Sequence, residues 1–393
     1  MMEKEYIAAF GETCRKELLG NVMPFWMAHG WDREHGGVYT CLDRDGTLMD
    51  PTKSVWFQGR FAYALSYAYN NVAKTPEWLE AARSAIDFFE RHCFDARGKM
   101  YFEVAADGTP LRMRRYVFSE CFAAMALAEY AKASGDGGCA ARATELFRRI
   151  LSFVGDPAMM PPKYEPAMAC QGHSLTMILI NVAMVLKQVS DDPALDAQID
   201  ESIARLLKFF VRPEFKCVLE MVGPNGEFID TCAGRTINPG HAIETSWFLM
   251  EVAQARGDKA LLRQAIQILD WSWDWGWDET YGGVISFRDC RNFPPQCYEQ
   301  DMKFWWPQCE AIIANLLAYR LANETRHYDR FRLAADWAWA HLKDPDYPEW
   351  FGYLHRDGTV AQPAKGNLFK GPYHIPRMLT RCGIVSSGTG TGT

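Results

Sequence analysis

Two histidines stand just behind helix-start signals, His241 in Asn238-Pro239-Gly240-His241 and His374 in KGPYHIPR. Histidine is the side chain whose ordinary pKa, about 6.5, suits it to take and return a proton near neutrality. The two belong to a series. Arg60 follows WFQG, Glu120 follows FS, His173 follows CQG, His241 follows NPG, Glu310 follows WWPQC and His374 follows KGPY, one polar side chain about every 63 residues. Equivalent positions in a repeat would converge six side chains on one cleft, where Arg60 could hold an enolate oxygen. Glu244, three residues beyond His241, shares its helix face and can orient the imidazole or bind a hydroxyl. Trp56, Trp247, Trp305 and Trp306 lie beside the same starts, either as core filling or as a flat floor for the C–H face of a sugar. The HxxE spacing of His241 and Glu244 also occurs in di-iron bundles, but those need a second HxxE and two further glutamates. No second copy occurs, and no metal is expected. His29, His92, His327, His341 and His355 lack such placement and read as surface or core residues.

The elements that must position these groups also recur. Six stretches with an acidic residue and a turn, at Asp32, Asp95, Asp156, Glu214, Asp278 and Asp346, open successive units. Asp45-Gly46, Asp107-Gly108, Asn225-Gly226 and Asp357-Gly358 are two-residue turn signals of β-hairpins. Between them, apolar residues at helical spacing predict pairs: 60–70 with 79–89, 120–132 with 143–153, 175–189 with 199–211, 242–255 with 261–271, and 311–321 with 331–342. The N-terminal helix and the segment from His374 complete a sixth pair. Asn238 is the expected N-cap of its helix, and the backbone at His374 is expected to be extended on the approach to Pro376. The reading is all-α, an (α/α)6 barrel with short β-hairpins in the loops at one end, over 1–385, with a flexible polar tail over 386–393. An open solenoid is the rival, but its repeats are normally shorter, about 33–47 residues.

The 393 residues are 48% hydrophobic and 23% charged, which excludes disorder and coiled coil. A net charge of -7 without a Lys/Arg-rich block makes nucleic acid and anionic membrane unsuitable partners. No apolar run approaches the ~18 residues of a membrane span. The first twenty residues lack the zones of a signal peptide, and twelve scattered cysteines read as reduced thiols, which together predict a cytoplasmic protein.

At these residues the sequence resembles the N-acylglucosamine 2-epimerase family. The matching segments are FWMAHGWDREHGGVYTCLDRDG (25–46), KSVWFQGR (53–60), FSECFAAMA (118–126), NPGHAIETSWFL (238–249), KFWWPQCEAIIA (303–314) and DPDYPEWFGYLHRDGTVAQPAKGNLFKGPYHIPRML (344–379). The resemblance implies an (α/α)6 barrel that interconverts N-acetyl-D-glucosamine and N-acetyl-D-mannosamine, with His241 and His374 as acid and base. It implies active-site places for Arg60, Glu244 and Glu310, and Arg377 of the HxPR motif joins Trp56, Glu120, His173, Trp247, Trp305 and Trp306 as substrate-binding candidates. His173 is similar to a histidine of the cellobiose epimerase branch. The resemblance further implies a homodimer and ATP as an activator that is not consumed, although no GxxxxGK[ST] loop occurs.

Three alternatives stay open. The barrel could carry a cellobiose or mannose 2-epimerase or an aldose–ketose isomerase. It could carry a glycoside hydrolase using Glu244 and Glu310 as its carboxylate pair. It could also be a non-catalytic binding protein.

Overall fold

The computed structural model describes residues 3–388. Twelve long helices follow one another: α1 (Glu3–Glu17), α2 (Val55–Asn71), α3 (Pro76–His92), α4 (Phe118–Ser134), α5 (Gly137–Phe153), α6 (His173–Leu186), α7 (Pro193–Arg205), α8 (Pro239–Arg256), α9 (Lys259–Gly276), α10 (Trp305–Ala322), α11 (Thr325–His341) and α12 (His374–Ser387). Their composition sorts them into two rings. The even-numbered helices are apolar on nearly every face: α2 buries Val55 and every residue from Phe57 to Ala68. The odd-numbered ones bury one stripe, as α3 does with Trp78, Ala81, Ala82, Ala85, Ile86, Phe88 and Phe89. A helix with one apolar stripe belongs outside, and one apolar all round belongs inside.

The inner ring closes. α2 packs on α4, α4 on α6, α6 on α8, α8 on α10, α10 on α12, and α12 returns to α2. Each outer helix lies on the inner helix of its own hairpin, and α1 lies on α12, so the two ends of the chain make the sixth hairpin. The last helix runs to Ser387, with Ser386 buried. The expected tail is thus helical over its first two residues, and 389–393 lie outside the described residues. Among the described residues no helix is long and apolar enough to cross a membrane.

Among the described residues, the loops before the inner helices carry fourteen short strands. β3 (Lys53–Ser54), β4 (Glu103–Val104) and β5 (Pro110–Arg112) form one antiparallel sheet, and β12 (Lys303–Phe304), β13 (Tyr353–Leu354) and β14 (Val360–Gln362) another. Two-stranded pairs join β1 (Cys41–Leu42) to β2 (Leu48–Asp50), β6 (Gln171–Gly172) to β9 (Met221–Val222), β7 (Val211–Arg212) to β8 (Cys217–Val218) and β10 (Thr236–Ile237) to β11 (Arg288–Asp289). The hairpin turns at Gly46, Gly108 and Gly358 are longer than the two-residue form expected, each with a bulged register and glycine at positive φ. A Cβ on any of the three would run into the ring of His29, His92 or His341, the last-turn residue of the helical segment beneath. Those histidines are turn supports.

Buried lysines tie the loops down. Lys53 reaches Asp32 at 2.6 Å, Lys303 reaches Asp278 at 3.1 Å and Lys365 reaches Asp344 at 2.6 Å. The acidic residue of the last unit is therefore Asp344 rather than Asp346, whose backbone N–H caps onto the Asp344 carboxylate.

Candidate active site

The strands set where each inner helix begins: α2 starts at Val55 and α10 at Trp305, more than a turn ahead of the expected 60 and 311. That start turns two layers of side chains toward the barrel mouth at i and i+3 or i+4. Trp56, Phe118, Ser174, His241, Trp306 and His374 form the upper layer, and Arg60, Phe122, Ile178 and Glu244 the lower. With Trp305, Tyr353, Phe369 and Tyr373 they line a cavity of about 450 Å³.

His241 sits in the first turn of α8, where the Asn238 side chain caps its backbone N–H at 3.2 Å. His374 is the first residue of α12; its backbone is helical rather than extended, because Pro376 falls in the first turn where no N–H is needed. Both imidazoles approach one indole, that of Trp306, with ring centroids 5.1 Å and 5.9 Å away.

Each imidazole has its Nδ1 on a carboxylate. His241 Nδ1 stands 3.0 Å from Glu220 Oε2, and His374 Nδ1 stands 2.8 Å from Glu310 Oε1. An N–H donated from Nδ1 leaves Nε2 as the reactive nitrogen in both rings. The two environments then diverge. Burial alone would lower His241, but the charge and hydrogen bond of Glu220, with Glu244 and Glu310 behind it, outweigh burial and raise it above its ordinary value. Burial, with the charges of Arg377 and Arg60 beside it, holds His374 well below that value. Glu310 does not restore it, because the same Oε1 takes Arg377 Nη2 at 2.7 Å.

Arg60 lines the cavity with no hydrogen-bond or ion-pair partner among the described residues. Its guanidinium lies 4.0 Å from the Phe122 ring centroid and 4.6 Å from that of Tyr373, and Nε is buried without an acceptor. Burial lowers it to about 10, so it stays protonated at neutral pH. An unneutralised cation in an aromatic cleft is available to a developing oxyanion.

Five expected site residues lie elsewhere. Glu310 is fully buried below the cavity, receiving His374, Arg377 and Trp247 Nε1 (2.9 Å), so it positions rather than contacts. Trp247 and Arg377 lie in the same floor; Arg377 Nη2 also reaches Glu244 Oε1 at 2.5 Å. That shared cation removes Glu244 and Glu310 as a free carboxylate pair. His173 is wholly buried, its Nε2 3.0 Å from Thr245 Oγ1 and its Nδ1 3.3 Å from Glu220 Oε1. It backs Glu220 and is not a wall of the cavity.

Glu120 is the fifth. Its Oε1 accepts the backbone N–H of Met100 at 2.7 Å, as Gln58 accepts that of Val38 and Gln308 that of Val284. It occupies the place of a structural glutamine, two residues out of phase with Arg60 and Glu310. Both glutamines also donate from Nε2 to backbone carbonyls, whereas Glu120 Oε2 has no partner. Burial accordingly pushes Glu120 up to about 7. A raised carboxyl pKa gives stability that is whole below about 4.5 and is lost as pH rises through about 7. Glu120→Gln is expected to raise stability at pH 8 by roughly 1–3 kcal/mol, the gain shrinking toward pH 5. Melting curves of the two proteins that coincide at pH 8 would overturn this.

Glu220 was not legible as a site residue. Its backbone is pinned by His173 N–H to its carbonyl (3.0 Å) and by its own N–H to Thr236 (3.1 Å), which hangs the carboxylate between two histidines. Their charges and hydrogen bonds hold it far below the carboxylate range against the opposing effect of burial. Two groups, His173–Glu220–His241 and Glu244–Glu310–His374, have the proximity of metal donors. In both the donors already satisfy one another, and in the second Arg377 stands on the two carboxylates.

A sequence profile of the N-acylglucosamine 2-epimerase (GlcNAc 2-epimerase) family matches residues 37–376. The chain is 36% identical to an N-acylglucosamine 2-epimerase of Bos taurus over 388 residues, covering 97% of this chain and 92% of that protein. It is 23% identical to a cellobiose 2-epimerase of Bacteroides fragilis, with 93% and 97% covered. The solved cellobiose 2-epimerase of Spirochaeta thermophila superposes with a TM-score of 0.85 at 21% identity over 99% of both chains.

Proposed function

This chain belongs to the N-acylglucosamine 2-epimerase family, and from that premise we propose that it interconverts N-acetyl-D-glucosamine and N-acetyl-D-mannosamine. The observation that carries the reading is the opposite displacement of two imidazoles that share one cavity. Inverting carbon 2 of the open-chain sugar means removing the proton alpha to the aldehyde on one face and supplying one on the other. A pair held apart in pKa rests with one proton between them, His374 neutral and His241 protonated. His374 Nε2 takes the carbon-2 proton, and the electron pair moves into the carbonyl to give an enolate whose carbon 2 keeps the acetamido nitrogen. Arg60 meets the oxygen that becomes negative, and His241 Nε2 returns a proton to the opposite face. The reverse direction uses the same pair with its proton on the other ring. Trp56, Trp305 and Trp306 supply aromatic surface for the sugar's C–H groups.

The carbon-2 step is tested by NMR in D2O: N-acetylmannosamine should give product deuterated at carbon 2, and product without deuterium would overturn proton transfer. Cellobiose and mannose in parallel tubes separate the neighbouring branches. We carry forward with this reading a cytoplasmic homodimer that consumes no cofactor and takes ATP as an activator; the same assay with and without ATP tests the last point.

A further inference from the structure

Among the described residues two carboxylates line the cavity, Glu244 and Glu299. Glu244 is committed to Arg377. Glu299 has no side-chain hydrogen bond and no ion pair. Other polar groups of the wall that take no part in proton transfer, such as Ser174 and Asn238, are neutral, and Asn238 Oδ1 is occupied in capping α8.

The backbone sets Glu299 in place. It sits in the loop between β11 and β12, where Phe287 N–H donates to the Gln300 carbonyl at 2.9 Å and Ser286 N–H to that of Met302 at 3.1 Å. Its own carbonyl takes Met302 N–H at 3.1 Å. Tyr298, the residue before, is fully exposed, whereas Glu299 is half-buried in a wall it shares with Phe287 and Phe304. A carboxylate in open water needs no partner, and that is the bland reading of a residue near the mouth. Against aromatic walls it loses part of its water, and a solute that brings hydroxyls replaces what is lost.

Its remoteness from the chemistry tells which hydroxyls. His241 and Arg60 feel the charge of Glu310, buried beneath the cavity, more than that of Glu299 in its wall. The aldehyde and the acetamido nitrogen must lie against His241, His374 and Arg60, because they flank the carbon that reacts. Glu299 is left to face the rest of the sugar chain. An ionised carboxylate only accepts, so it takes O–H groups and repels a phosphate or carboxylate carried there.

We propose that Glu299 accepts hydrogen bonds from the tail hydroxyls of the sugar, those beyond carbon 3, and so selects a neutral, unsubstituted tail. This role rests on the epimerase reading of the same cavity.

Truncation is mild, since no other side chain relies on the carboxylate. The probes are the alditol of N-acetylmannosamine, an open chain that cannot epimerise, and its 4-deoxy, 5-deoxy and 6-deoxy forms, titrated by calorimetry. The parent should bind the full alditol about tenfold more tightly than at least one deoxy form, and Glu299→Ala should bind that pair alike. With N-acetylmannosamine as substrate, Glu299→Ala should raise KM about tenfold and keep kcat within about threefold, the split of a group that binds but does not react. Glu299→Lys should tighten the alditol 6-phosphate about tenfold relative to the parent. Deoxy forms that all bind like the full alditol, a gap that persists in Glu299→Ala, or no alditol binding by the parent overturns the role of Glu299. So does a kcat that falls with KM unmoved, which would put Glu299 at the reacting carbons. No tightening of the 6-phosphate by Glu299→Lys overturns the charge selection alone. Alditol binding that depends on Glu299, without turnover of the sugar, overturns the epimerase reading alone.

Discussion

His374→Ala is expected to lower epimerisation by about three orders of magnitude, within the range of a lost general acid–base group. The ring is nearly enclosed, and its neighbours survive its removal: Glu310 keeps Arg377 at 2.7 Å and Trp247 at 2.9 Å, so no buried carboxylate is stranded. The fold should therefore persist, and imidazole added to the buffer should recover part of the rate by entering the vacated space. The variant also separates the two half-reactions. His241 keeps Glu220 and can still exchange the carbon-2 proton on the face it meets. One epimer should then take up solvent deuterium slowly without inverting, and the other should not. His241→Ala should show the opposite preference. Turnover by His374→Ala near the parent rate would sink the pairing, and exchange of both epimers at equal rates would sink the assignment of one ring to each face.

Much of this was legible because the barrel is a repeat. Hairpins of nearly constant length, punctuated by turn glycines, announce six units whatever their individual residues, and helix-start residues such as Asn238 and His241 mark the mouth. What one sequence does not disclose is helical phase. Arg60 and Glu310 lie in the second turn of α2 and α10, His241 and His374 in the first turn of α8 and α12, and a period of 3.6 residues turns Glu120 away into the loops while Phe122 takes the wall. The strands β3 and β12 decide those starts, and strands of two residues leave almost no pattern. Depth is hidden for a similar reason. Trp247 lies beneath the cavity and Trp306 in its wall, although in the sequence both are simply tryptophans beside a helix start.

Glu220 escaped for a different reason, and it carries the second large effect. It lies between β8 and β9, in no helix; Phe102 and Gly352 hold the same place in other units, so the repeat announces no carboxylate there, and the backbone pairing with His173 and Thr236 brings it to His241. Its charge is the chief influence that raises His241 against burial. Activity needs one proton on the histidine pair, so it falls below the pKa of His374 and above that of His241. With the first displaced downward and the second upward, the parent pH–rate profile should be a broad plateau around neutrality. Glu220→Gln keeps the shape and removes the charge, leaving burial to act on His241 with only Glu244 and Glu310 opposing it. The basic limb should move down by more than one pH unit and the acid limb stay in place. At pH 8 kcat should fall by about 10- to 100-fold, and at pH 6 by far less. A uniform loss at every pH would mean that Glu220 merely holds the loop, and a basic limb that does not move would mean that His241 is not the group whose proton is lost there.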